Sequence, residues 1–175
     1  MTVLDLENSK PFEQITYNDL LGCNEWRDKR KEILKRDFSR CNKCRKSMTV
    51  KLWLGPKEHI NIIDDDSQNY KLTGRNLNES VNLEVHHSYY IVNCFPWNYP
   101  NESLLTVCRD CHQKIHDECK IPIWDENMAN KMKFGECERC LGKGYISQYH
   151  YFQNGRCFKC GGSGHNIPFE YKKEL

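Results

Sequence analysis

The chain has 175 residues, a formal charge of +2 and a mean hydropathy of −0.81, with 29% of its residues charged. That length accommodates one ordinary domain or two small ones and excludes a large multidomain enzyme, while the low hydropathy leaves an apolar core that needs another source of stability. The opening residues MTVLDLENSK lack a basic region followed by an apolar one, and no run is apolar enough to cross a bilayer, so the expectation is a soluble protein of a reducing cytoplasm with no membrane partner.

Residues 1–23 show no strong period and read as an N-terminal arm. From Asn24, the expected N-cap, EWRDKRKEILKRD reads as a helix with Trp26, Ile33 and Leu34 on one face and Glu32 four residues before Arg36. Residues 27–51 hold eleven Lys and Arg against three acidic residues. Within that run Arg27, Arg30, Lys31, Arg36, Arg40, Lys43, Arg45 and Lys46 are candidates for contact with a phosphate backbone, and a solvated helix face with snorkelling stems is the competing reading. Residues 47–84 then form an insert: a strand-like MTVKLWL, Gly55-Pro56, an apolar stretch Ile60 to Ile63, and Asp64-Asp65-Asp66, which reads as an exposed loop before a cation site.

LEVHHSYYIV, from Leu83 to Val92, has strand composition, so adjacent His86 and His87 face opposite sides and can do different work. NCFPWNYPNES follows as an extended stretch, its two prolines forbidding a helix; Trp97 and Tyr99 in it read as packing before base stacking. SLLTVCRDCHQKIHDEC turns helical after its cysteine pair, which puts His112 and His116 on one face, able to share one metal ion. His59, His150 and His165 read as structural. Residues 121–134 read as a short helix or linker, 135–166 as a separate unit, and 167–175 as a tail.

Eight of the eleven cysteines fall in four Cys-x-x-Cys pairs, Cys41/Cys44, Cys108/Cys111, Cys137/Cys140 and Cys157/Cys160, leaving Cys23, Cys94 and Cys119 alone. A disulfide framework has no reason to repeat one spacing four times, whereas two thiolates on a tight knuckle form half of a tetrahedral zinc shell. The last two pairs belong to a repeat, C-x2-C-x-G-x-G, at an offset of 20 residues, and together close one zinc site. YISQYHYFQNGR between them has strand character with a turn at Asn154-Gly155, so a zinc-pinned hairpin is the expected geometry.

Over about residues 25–119 the chain resembles the HNH endonuclease family in its zinc-binding ββα-metal form. The residues that carry the resemblance are the basic helix with Trp26, Arg30, Ile33, Leu34, Arg36 and Asp37, and the Cys41/Cys44 knuckle. They continue through Leu83, Val85, His86, His87 and Tyr90, then Pro96 to Pro100, and Leu105 to Cys108 with Cys111, His112 and His116. The resemblance implies one structural zinc on Cys41, Cys44, Cys108 and Cys111. It also implies a catalytic divalent cation (Mg2+, Mn2+, Ni2+ or Zn2+) on His86, His112 and His116, with His87 as general base. In the family, cleavage leaves a 5′ phosphate. Two departures stand out: the position of the family's middle Asn is Ser103, with Asn101 two residues earlier as the other candidate to brace the loop, and the insert between Cys44 and His86 is long.

The 135–166 unit resembles the cysteine-rich zinc region of DnaJ-type chaperones, with two repeats and one zinc in place of four repeats and two zincs. No His-Pro-Asp tripeptide accompanies it, which argues against a DnaJ co-chaperone. A module contacting nucleic acid or a protein partner fits its Arg139, Lys143, Arg156 and Lys159 and the aromatic Tyr145, Tyr149, Tyr151 and Phe152; structural stiffening fits equally.

The expected fold is α+β: a small zinc-stabilised ββα-metal domain over residues 24–120 with a preceding helix, then a C-terminal zinc-bound β-hairpin module. The expected function is a bacterial or phage-encoded cytoplasmic endonuclease hydrolysing phosphodiester bonds, of DNA more readily than RNA, with two structural Zn2+ and one catalytic cation. The alternative is a non-catalytic zinc protein that binds nucleic acid or a protein partner, and last comes a chaperone-like binder acting through residues 135–166.

Overall fold

The computed structural model describes residues 1–56, 58–63, 80–149 and 151–172, with the backbone alone for 51, 53 and 58–63. The acidic Asp64–Asp66 loop, His150 and the side chain of His59 lie outside the described residues. Among the described residues, helices mix with three small sheets.

The N-terminal segment is folded onto the rest of the chain. Helices α1 (Val3–Ser9) and α2 (Tyr17–Leu20) each begin with a reciprocal capping box. The Thr2 hydroxyl accepts from the Asp5 N–H at 3.2 Å while the Thr2 N–H donates to Asp5 Oδ2 at 2.7 Å, and Thr16 and Asp19 repeat the arrangement. Their apolar residues Leu6, Ile15 and Leu20 form a core with Cys23, Phe95 and Tyr171, so the beginning and the tail of the described chain close over one cluster.

Helix α3 (Asn24–Arg36) carries Glu25 in its first turn and Lys35 and Arg36 in its last, complementing the helix dipole at both ends. Its N-cap is Cys23, with no side-chain cap, so Asn24 is the first helical residue and not the cap expected of it. The Glu25 carboxylate accepts instead from the Val3 N–H, tying α3 to α1. Trp26 and Ile33 are buried, and Glu32 turns to Lys29 and Asn101 while Arg36 pairs with Asp37. Full burial of Ile33 contributes about 2 kcal/mol.

In the insert, β1 (Thr49–Gly55) pairs antiparallel with β2 (Glu58–Ile63). Strand β3 (Leu83–His87) pairs antiparallel with β5 (Leu104–Cys108), His87 lying opposite Leu104, and β5 runs directly into α4 (Arg109–Glu118). The helix therefore starts at Arg109, inside the cysteine pair and not after it. The strand expected over Leu83–Val92 breaks at Ser88-Tyr89, leaving β4 (Tyr90–Ile91) as a separate piece. Residues 121–134 form no helix: β6 (Ile123–Trp124) pairs parallel with β4 and antiparallel with β7 (Lys131–Met132). Pro122 removes a helix donor there, and the Asp125 carboxylate accepts from the Ala129 and Asn130 N–H groups to close the turn.

The C-terminal module forms single bridges in place of a hairpin. Tyr145 pairs with Arg156 and Glu136 with His165, while the connection between the repeats is two 3-10 turns, Ser147–Tyr149 and Gln153–Gly155. The Asn154-Gly155 turn is present, with φ of 55° and 82°.

Candidate metal centres and the cavity beside them

Among the described residues, two sulfur clusters and one histidine cluster bring potential ligand atoms within 4.8 Å of one another. The first joins the Cys41/Cys44 knuckle to Cys108 and Cys111 at the start of α4, and the second joins the two repeats through Cys137, Cys140, Cys157 and Cys160. Sulfur separations of 3.6 Å (Cys44 to Cys108), 3.9 Å (Cys137 to Cys157) and 3.7 Å (Cys140 to Cys160) are far from a disulfide. They match the edges, about 3.8 Å, of a tetrahedron with a metal–sulfur distance of about 2.3 Å. Burial would raise the Cys41 thiol, but backbone N–H groups around the knuckle outweigh it and draw it down to about 6, whereas burial and the neighbouring sulfurs push Cys108 and Cys111 up. Four thiolates repel without a cation, so both clusters suit zinc. Cys23, Cys94 and Cys119 lie outside both clusters.

The third cluster is built by β3 and α4. Strand alternation sends Glu84 and His86 to the α4 side and Val85 and His87 to the α3 side. One helical turn separates His112 from His116, so the rings of His86, His112 and His116 form a near-equilateral triangle with centroid separations of 5.0 to 5.1 Å. His112 Nδ1 is held by Glu84 Oε2, which leaves Nε2 to face the centre. His86 Nδ1 and His116 Nε2 are buried without a hydrogen-bond partner. Burial first, then the neighbouring histidines, drives His86 down to about 2 and His116 to about 3, so both rings are neutral lone-pair donors at physiological pH. Three orphaned or oriented imidazoles around one point fit a divalent cation, and a carboxylate behind one of them is the usual support for a ligating histidine.

His87 faces the other way. Its ring stacks on Trp26 at 5.0 Å and meets the edge of buried Tyr99 at 4.5 Å. Its Nε2 lies 3.2 Å from the Pro96 carbonyl, which can only accept, so Nε2 carries the proton and Nδ1 the lone pair. Burial lowers its pKa to about 4. Tyr99 is held by the Ile91 N–H at 2.8 Å, and both Tyr99 and the half-buried Trp97 pack into the core, as the packing reading expects.

Ser103 and Asn101 brace different things. The Ser103 hydroxyl donates to the Pro100 carbonyl at 2.7 Å and its own carbonyl accepts from Ser88, directly after His87, so it fixes the loop behind that residue. Asn101 points away from the histidines: its side chain bridges Lys29 and Glu32 of α3. The basic run divides as well. Arg36 donates to the Asn101 and Leu104 carbonyls and pairs with Asp37, an internal clamp. Arg30 donates to the Leu83 carbonyl at 3.3 Å and reaches the histidine cavity, while Arg27, Lys31, Arg40, Lys43, Arg45 and Lys46 stay on the surface.

A cavity of about 260 Å3 opens beside the triangle, lined by all four histidines and by three parts of the chain: Tyr17 from α2, Arg30 from α3, and Asn154 and Arg156 from the C-terminal module. Among the described residues eight buried side-chain polar atoms lack a partner, and five of them, Tyr17 Oη, Glu84 Oε1, His86 Nδ1, His116 Nε2 and Arg156 Nε, belong to residues that line this cavity. An unsatisfied buried polar group costs about 1–3 kcal/mol, and native folds retain few of them without a ligand, ion or water. Sequence reasoning missed Glu84, Tyr17 and Asn154 as lining residues and counted Arg156 among the module's charges for nucleic acid or a protein partner without placing it at the histidines. Glu84 was readable two positions before His86 on the same strand face, whereas Tyr17, Asn154 and Arg156 arrive only through tertiary packing.

No helix among the described residues is long and apolar enough to cross a membrane. Comparison of the chain with known protein families, with curated proteins and with solved structures finds no match.

Proposed function

We propose that the chain is a metal-dependent phosphodiesterase of the HNH kind, acting on DNA, with its reaction centre at the four histidines. The observation that carries this reading is the division of labour across β3: three imidazoles converge on one point from the α4 side, and a fourth, lining the same cavity, is fixed in one tautomer by the Pro96 carbonyl. His87 Nδ1 accepts the proton of a water that attacks phosphorus, and the neutral ring required for that step is the form its burial enforces. Trp26 and Tyr99 hold the ring against rotation, and Ser103 secures the strand end that follows it. A divalent cation on His86, His112 and His116 supplies positive charge to the phosphoryl oxygens and the departing 3′ oxygen when bound. The surface cations from Arg27 to Lys46 supply sequence-independent attraction for the backbone.

Incubation of supercoiled plasmid with wild type and with His87→Ala, each with Mg2+, Mn2+, Ni2+ or Zn2+ and each shown to be folded, tests the reading. Cleavage by wild type and its loss by a factor of about 100 or more in the variant are expected. Equal cleavage by the two proteins, or none by wild type with any of the metals, ends it.

A second reading draws on the burial of His87, only 5% exposed, and on exposed apolar side chains in the module, with Leu141, Tyr151 and Phe152 each at least 60% exposed. It makes the chain a non-catalytic zinc protein that binds nucleic acid or a protein partner through residues 135–166. Salt-sensitive DNA binding without turnover, unchanged in His87→Ala, is its signature.

A further inference from the structure

The two repeats of the C-terminal module differ at one informative place. After its second cysteine the first repeat has Leu141 and the second has Gly161, both at positive φ (52° and 61°), so backbone conformation alone does not demand the glycine. The neighbour does: a Cβ on Gly161 would lie 2.9 Å from Tyr17 Cδ1, whereas Leu141 is exposed. Gly161 therefore lets the module seat against α2. The next residue, Gly162, lies under the Arg156 side chain, with Arg156 Cγ 3.3 Å from where its Cβ would be. The Asn154-Gly155 turn completes the placement, and the guanidinium enters the histidine cavity.

Among the described residues, the charged ones that line the cavity are Arg30, Arg109, Arg156 and a single carboxylate, Glu84. Glu84 is already committed to His112. Arg156 holds Gln153 Oε1 at 2.6 Å but its buried Nε has no partner, and the buried hydroxyl of Tyr17 has none either. The lining thus sets three guanidiniums against one carboxylate, an excess of positive charge. A cation on the three histidines adds to that excess. The chemistry that satisfies the cavity is an anion with several acceptor oxygens.

We propose that Arg156, presented by the C-terminal four-cysteine module, acts with Arg30 of α3 to hold a phosphodiester group of the nucleic acid backbone beside the three histidines. The module is then one wall of the nucleic-acid site and not an independent appendage. Naming the anion as a phosphodiester rests on the hydrolytic reading above; the excess of guanidinium does not.

The test uses the full chain with its zinc and a fluorescein-labelled DNA duplex as probe, without added divalent cation, so that binding is read apart from turnover. Arg156→Gln is expected to weaken binding about ten-fold and to lower the slope of log affinity against log salt by about 1. Zinc content and unfolding temperature should match wild type. Gly161→Leu, which copies the first repeat, is expected to keep both four-cysteine zinc sites and lose the same affinity by unseating the module. Unchanged affinity and slope in folded Arg156→Gln overturn the proposal. Should that variant fail to fold, Gly161→Leu decides: wild-type affinity and slope with zinc retained overturn it. DNA binding that depends on Arg156 without cleavage under any metal leaves the clamp standing and removes the hydrolytic reading. Cleavage that needs His87 but is indifferent to Arg156 in rate, affinity and slope does the reverse, and no DNA binding by wild type overturns both.

Discussion

Glu84 holds His112 from two residues away from His86, so one strand supplies both a candidate ligand and the support of another. The pair is mostly buried, with side-chain exposures of 18% for Glu84 and 24% for His112. Removing the carboxylate frees the ring to rotate and lowers its basicity as a ligand. Glu84→Ala should weaken Ni2+ or Mn2+ binding at the histidines about 10- to 100-fold, while the eight zinc-cluster cysteines stay unreactive to thiol reagents. Titration calorimetry of the zinc-loaded protein checks it, and wild-type affinity in the variant would show that Glu84 plays no part in shaping the centre.

Asp37 sets an acid limit to stability. Burial would raise its carboxyl, but Arg36 and the Thr106 N–H at 3.2 Å outweigh it, with Asn42 adding a third donor, so it titrates below the ordinary carboxylate range. A folded-state value below the unfolded one stabilises the fold above the unfolded pKa of about 3.9 and loses that contribution as pH falls through the folded value. Asp37→Asn should therefore be less stable than wild type at pH 7, by a gap in urea midpoint that stays constant down to about pH 5, the window in which the four-cysteine sites keep their zinc. No gap at pH 7, or one that already shrinks between pH 7 and about pH 5, would contradict the linkage.

The parts legible in the sequence are those written at short range. The Cys-x-x-Cys knuckles, the four-residue spacing of His112 and His116, and the alternation that splits His86 from His87 each express one helical turn, one strand step or one ligand bite. The capping boxes Thr2-x-x-Asp5 and Thr16-x-x-Asp19 were equally local, and reading residues 1–23 as an arm passed over them in favour of the missing hydrophobic period. Two-residue strands such as β4 and β6 carry too little pattern to recognise, because their pairing across more than thirty residues supplies the stability. The convergence of Tyr17, Arg30 and Arg156 on one cavity has no local signal at all. The Gly161 and Leu141 difference acquires its meaning only from the structure, where Tyr17 packs against the second repeat.

The glycines of the repeat make a second, purely steric prediction. A Cβ on Gly144 would come within 2.3 Å of the Gly162 carbonyl oxygen, and one on Gly164 within 2.2 Å of the Gly142 oxygen, so each repeat packs its last glycine against the first glycine of the other. Both sit at positive φ, 72° and 79°. Gly164→Ala should cost about 2 kcal/mol or more and speed zinc loss from the C-terminal site to a chelator. Gly135→Ala meets nothing within 4 Å and should be neutral. Equal chelation rates for the two variants would mean that the repeats do not interlock in this way.

Cys41 joins the metal question to the folding question. It is fully buried in one cluster with Leu83, Val107 and Cys108, and Cys108 is the N-cap of the helix that carries His112 and His116. A structural zinc of this kind contributes about 10 kcal/mol or more of apparent binding free energy. That is comparable to the whole stability of a small domain, about 5–15 kcal/mol. Cys41→Ser should accordingly lose one zinc per chain, lose most of its cooperative thermal transition, and lose metal binding at the histidines, because α4 is no longer anchored against β3. Excess chelator on wild type should reproduce the same collapse, reversed by added Zn2+ under reducing conditions. A variant that keeps a cooperative melt and an intact histidine site would show that β3, β5 and α4 hold their geometry through apolar packing alone.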